Sequence, residues 1–178
     1  MAPCEERALA REVVCIEGNI GAGKSTLLRN LVGLLPGSVA YVPEPVDLWE
    51  DCGALPAYYA GRLPSVAFQL VALVTRDAAW RLAAGGGASL LVCERSVESD
   101  RGVFAESLLQ GADRRIYEAA HGAVLRTRPT LRTLTVLVDL PVKVLEQRVR
   151  GRHRASEVSG AGAVGRELLE RLATAHAR

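Results

Sequence analysis

Gly18, Gly23, Lys24 and Ser25 stand in the pattern G-x-x-x-x-G-K-[ST] inside the stretch EVVCIEGNIGAGKST. Glycines let consecutive backbone N–H groups converge on an anion, and the N-terminus of a following helix adds its positive end. A lysine then reaches the terminal phosphates and a hydroxyl ligates Mg²⁺. That combination is suited to a nucleoside triphosphate, held by Gly18, Asn19, Ile20, Gly21, Ala22, Gly23, Lys24, Ser25 and Thr26. The lysine runs against the chain's own habit: of 22 basic residues only Lys24 and Lys143 are lysines. A phosphate loop does not by itself separate kinases from ATPases and switches.

Further groups suited to phosphoryl transfer follow two other strand-like runs. Glu44 lies between prolines in YVPEPVDLWE, where a carboxylate at a strand's carboxyl end can accept a proton from a hydroxyl. Glu94 and Arg95 occupy the equivalent end of LLVCERS, an acid for Mg²⁺ beside a guanidinium able to bridge transferring and accepting groups. Phe68, Gln69, Ala72 and Arg76 share adjoining faces of one helical run, and Asp100 and Phe104 are spaced one turn apart on the next. Two rings, an amide, an arginine and an acid describe a slot for a planar heterocycle. Blander readings stand beside these: a capping glutamate, a simple Glu94–Arg95 ion pair, core phenylalanines and a buried Arg76–Asp100 salt bridge.

The elements that must position these groups alternate. EVVCIEG, SVAYV and ASLLVC read as strands, with helices in TLLRNLVGLL and SVAFQLVALVTRDAAWRLAA between them, which predicts parallel strands covered on both faces. LRTLTVLVDL reads as another buried strand, followed by helices in PVKVLEQRVRGRHR and RELLERLATAHAR, with the small, polar ASEVSGAGAVG between them a mobile loop.

With 178 residues, 49% of them hydrophobic, one globular unit spanning 1–178 is expected. A net charge of +2 argues against a nucleic-acid surface. No run approaches a membrane span, and four scattered cysteines indicate neither zinc nor disulfides, so a cytoplasmic protein is expected, with a short organelle signal left open.

EGNIGAGKST, PEPVDLW, FQ in the long helix and ERSVESDRGVFA resemble, in order and spacing, the signatures of the deoxynucleoside kinase family. The resemblance runs from about residue 12 to 176, and ERS and PEPV carry most of its specificity. It implies a three-layer α/β P-loop kinase fold, ATP and Mg²⁺ as cofactors (Ser25 and Glu94 for the metal), a homodimer through helices, and transfer to the 5′-hydroxyl of a deoxynucleoside. It further implies that Glu44, Glu94, Arg95 and Lys24 are catalytic, that Trp49 borders the substrate and that Tyr58 meets the sugar 3′-hydroxyl. Gln69 would pair with the base edge and Phe68 and Phe104 would sandwich the ring. The Arg76–Asp100 pair resembles that of deoxycytidine and purine kinases, not that of thymidine-type members.

The chain also departs from the family pattern. QRVRGRHR resembles the lid (about 148–165), with Arg150 and Arg152 as its ATP-phosphate ligands, but the paired lid glutamates are missing and Glu157 is a possible substitute. Family members continue into one more strand and helix, so a four-stranded sheet with an open edge is expected here. Two other readings remain at this point: a non-catalytic nucleotide-binding module and a nucleoside monophosphate kinase.

Overall fold

The apolar runs of β1 (Glu12–Gly18) and β3 (Leu90–Glu94) are buried along almost their whole length, as central strands of a parallel sheet must be. The computed structural model describes residues 12–35, 37–151 and 164–177. The two strands run in register from Glu12 opposite Leu90 to Ile16 opposite Glu94. With β2 (Val39–Val42) beside β3 and β4 (Arg132–Val138) beside β1, the described residues form a parallel sheet in the order β2-β3-β1-β4.

Alternation along β1 builds the two covered faces. Ile16 packs with Val92 and Leu28 of α1 (Lys24–Leu31), while Val13 and Cys15 face the other way with Cys93 and Trp80 of α4 (Ser65–Ala84). The result is the expected three-layer α/β arrangement. Helix α4 follows Pro64 and ends against Gly85, the first of three consecutive glycines. Strand β4 departs from its reading as a buried strand. Leu134, Val136 and Leu137 are exposed, and β4 pairs with β1 alone among the described residues, so it forms the sheet's edge.

Two short helices, α2 (Val46–Asp51) and α3 (Ala54–Tyr59), follow β2. After β3, Ser96 caps a helical segment by accepting a hydrogen bond from the Ser99 N–H at 3.1 Å. That segment runs from α5 (Val97–Ser99) through a π-helical stretch (Asp100–Ala105) into α6 (Glu106–Leu108). Helix α7 (Gly111–Arg126) comes next, and α8 (Val142–Gly151) and α9 (Arg166–His176) follow β4.

Gly18, at the end of β1, approaches β4 more closely than any side chain permits. Its φ is 141°, and an added Cβ would sit 2.4 Å from the Val138 carbonyl oxygen. Gly18→Ala is therefore expected to cost about 2 to 3 kcal/mol, a fall in Tm of roughly 6 to 10 °C, measured by calorimetry. An unchanged Tm would contradict this packing.

Candidate active site

Three strand ends supply the site. β1 leads into the phosphate loop, β2 into Glu44, and β3 carries Glu94 at its tip with Arg95 immediately beyond, so side chains distant in sequence meet at the sheet's carboxyl edge. Gly21 and Gly23 adopt φ of 81° and 100°, and Gly23 turns the chain directly into α1. Lys24, the first residue of that helix, is buried and donates to the Asn19 carbonyl at 3.0 Å. Burial and the neighbouring Arg95 bring its pKa down to about 7 against the pull of Glu44 and Glu94. Ser25 Oγ donates to Glu94 Oε1 at 2.9 Å, so the hydroxyl and carboxylate offer two oxygens to one point.

Arg95 adopts φ 67°, a left-handed conformation unusual outside glycine. Its guanidinium lies over the Phe104 ring, 4.6 Å from the centroid, and Arg95 Nε is 3.2 Å from Glu44 Oε1. The same oxygen accepts from Arg76 NH2 at 2.6 Å, while Arg76 NH1 donates to Asp100 Oδ1 at 2.6 Å. Burial resists ionisation of Glu44, yet Arg95 and Arg76 outweigh it and hold its pKa at about 2. At Asp100 burial wins over Arg76, and the pKa rises to about 6.

A cavity of about 710 Å³ is lined both by the loop from Ile20 to Thr26 and by Glu44, Glu94 and Arg95. Trp49, Phe68 and Phe104 line the same cavity. Trp49 is fixed by donating its indole N–H to Thr75 Oγ1 at 2.9 Å and meets Phe68 edge-on at 5.5 Å.

Several expected residues lie off this lining. Gly18 and Asn19 support the loop from behind: Asn19 Nδ2 donates to the Leu169 carbonyl of α9 at 2.8 Å, and its Oδ1 accepts from the Ile20 N–H. Gln69, Arg76 and Asp100 are buried and are not part of the cavity lining. The bland reading of Arg76–Asp100 as a buried salt bridge describes this conformation. Tyr58 stacks on Phe68 with centroids 4.6 Å apart, and the neighbouring Tyr59 lines the cavity in its place. Arg150 is exposed and pairs with Glu146 one turn earlier, because α8 turns that face to solvent. Arg152, Glu157 and most of the expected lid lie outside the described residues.

Sequence reasoning missed Arg148. It donates to the Ala22 carbonyl at 3.1 Å and lines the cavity while its side chain stays largely exposed, two positions before Arg150. The signal was the inward register of α8, visible in the spacing of its apolar Leu145 and Val149. His176 of α9 was also missed. Burial, reinforced by Arg95 and Lys24, keeps its pKa down to about 4, so it is neutral beside the phosphate loop.

A parallel sheet with a glycine loop, a buried lysine, a hydroxyl–carboxylate pair and an arginine at one edge defines a P-loop phosphotransferase. A family model described as deoxynucleoside kinase matches residues 14–178, and the chain belongs to that family. Among similar proteins is a thymidine kinase of Ictalurid herpesvirus 1, 34% identical over 90% of this chain and 70% of its own length. Another is a probable deoxycytidine kinase of fowlpox virus, 36% identical over 53% of this chain and 40% of its own length. Among the described residues no helix is long and apolar enough to cross a membrane.

Proposed function

We propose that the protein transfers the γ-phosphoryl group of ATP to the 5′-hydroxyl of a deoxynucleoside, preferring deoxycytidine or a purine deoxynucleoside over thymidine. The observation that carries this reading is the shared cavity: one space is lined by a phosphate loop, by Glu44 and Arg95, and by the rings of Phe68 and Phe104. The hydroxyl would approach Glu44, whose carboxylate stays ionised at every physiological pH and orients it, while Lys24 and Arg95 spread the charge on the transferring group. Ser25 and Glu94, two oxygens that already converge, fit Mg²⁺. Such an ion would supply positive charge to the nucleotide's phosphates.

The preference rests on Asp100, which in this conformation is held by Arg76 outside the cavity lining and would have to turn toward the amino group of cytosine or adenine, a donor that the O4 of thymine does not offer. The name of the herpesvirus relative favours thymidine as a second reading. Incubation with ATP, Mg²⁺ and each of the four deoxynucleosides separates the two: faster ADP release with deoxycytidine or a purine supports the first, and thymidine as the best acceptor overturns the preference. A nucleoside monophosphate as the best acceptor would move the assignment to a monophosphate kinase.

Lys24 makes nucleotide binding pH-dependent. Phosphate favours its protonated form, so binding at pH 8 is expected to take up roughly one proton, and at pH 6 almost none, given the free value of about 7. Calorimetry in buffers of different ionisation enthalpy reads this directly, and buffer-independent heats at pH 8 would contradict it. Without nucleotide, the lowered value means that the unfolded chain binds this proton more tightly, so Lys24's contribution to stability rises with pH between about 7 and 10.5.

A further inference from the structure

Tyr117 is wholly buried on α7, yet its hydroxyl has no hydrogen-bond partner among the described residues. Two further polar atoms share that condition on the elements packed against α7: Asp100 Oδ2 on the π-helical stretch and Arg76 Nε on α4. These three elements pack against one another, and Asp100 followed by Arg76 are the charges that act most strongly on the Tyr117 phenol. Buried without partners, a tyrosine hydroxyl, a carboxylate oxygen and a guanidinium N–H would each cost the desolvation energy of that group. The ring cannot turn away to find water. His121, one turn further along α7, stacks against it with centroids 6.0 Å apart and lies 3.1 Å from the Val97 carbonyl through its own Nε2.

We propose that Tyr117 is a positioning residue for Asp100: its hydroxyl, through one buried water shared with Asp100 Oδ2 and Arg76 Nε, fixes the carboxylate that selects the base. The water accepts from Arg76 Nε–H, donates to Asp100 Oδ2 and bonds the phenol, and about three such bonds is the usual complement of a buried water. Asp100 Oδ1 is already held by Arg76 NH1, so the second contact fixes the plane of the carboxylate. Without it Asp100 would keep its salt bridge but swing about that single bond. The selection of the base rests on the proposed function; the coupling of Tyr117 to Asp100 does not.

Tyr117→Phe removes one oxygen and keeps the ring. If the hydroxyl is bonded as proposed, this substitution lowers Tm by roughly 2 to 4 °C. In an Arg76→Met, Asp100→Ala background, where the water has lost its two charged partners, the same substitution leaves Tm unchanged or raises it. A rise in the parent protein, or an equal loss in both backgrounds, overturns the proposal. In kinetics the single variant is expected to raise KM for the preferred deoxynucleoside about fivefold, the fold-change of one neutral hydrogen bond, to narrow its margin over thymidine, and to spare kcat. A uniform drop in kcat for every nucleoside with unchanged KM marks a merely structural tyrosine and overturns it as well. Should the parent chain phosphorylate no nucleoside, the function reading fails, and the Tm comparison still decides the coupling. A high-resolution crystal structure checks the same point: a water within about 3.2 Å of all three atoms supports it, and its absence counts against it.

Discussion

Arg95→Ala is expected to lower turnover by about 10²- to 10³-fold while the protein still melts cooperatively, and Glu44→Gln by a similar factor. Arg95 is placed by a backbone conformation of φ 67° that few non-glycine residues adopt, and its Nε approaches the Glu44 oxygen that also accepts from Arg76. Removing the guanidinium takes away the positive charge available to the transferring group and frees Glu44 to turn wholly toward Arg76. Glu44→Gln keeps the shape of the side chain but loses its charge, and with it the orientation of an attacking hydroxyl. The value of about 2 makes Glu44 a weak base. That suffices for a loose phosphoryl-transfer transition state, which demands positioning more than proton abstraction. Because Arg95 is also an ion-pair partner of Glu44, the double variant should lose less than the product of the single losses. Initial rates at saturating deoxynucleoside test this, and near-normal turnover in both single variants would remove these residues from the mechanism.

Arg76→Met, Asp100→Ala is expected to shift the preference toward thymidine by about 10- to 100-fold, the range that one mismatched buried polar contact commands. Removing both charges replaces a buried pair with apolar groups, a change that proteins often tolerate. Asp100→Ala alone is different. It leaves the Arg76 guanidinium, buried to 4% exposure, with Glu44 as its remaining partner, and should cost about 3 to 5 kcal/mol of stability. The ratio of kcat/KM for deoxycytidine to that for thymidine reads the specificity effect. An unchanged ratio in the double variant would show that the pair is structural only.

The chain's chemistry was easier to read than its geometry. The strand leading to Gly18, the helix after Gly23 and the acids at the carboxyl ends of β2 and β3 are local patterns, and each lies where its run of apolar residues placed it. Arg148 and Arg150 show where local reading stops. Both are exposed arginines near the end of one helix, and only the docking of Leu145 and Val149 decides which reaches the loop. Tyr58 and Tyr59 present the same problem within α3, where a single step of the helix separates a residue stacked on Phe68 from one on the cavity wall. Helix α7 went unread because RRIYEAAHGAVLR carries few large apolar residues, yet its Tyr117 and His121 are buried. The apolar content of β4 suggested burial on both faces, but burial depends on neighbours, and among the described residues β1 is its sole pairing partner. Asp100 and Phe104 were spaced for an α-helix; the backbone there is π-helical, a register that no pattern of apolar residues announces.

A nucleotide's phosphates and a deoxynucleoside's 5′-hydroxyl are expected to meet in the one cavity lined by the glycine loop, Glu44 and Arg95. A crystal structure with ADP and deoxycytidine tests it most directly. The expected density places the phosphates on the backbone from Ile20 to Ser25, the sugar 5′-oxygen within hydrogen-bond reach of Glu44 and Arg95, and the base against Phe68 and Phe104. A nucleoside bound elsewhere, with Glu44 still clasped by Arg76 and no ring beside the phenylalanines, would contradict it.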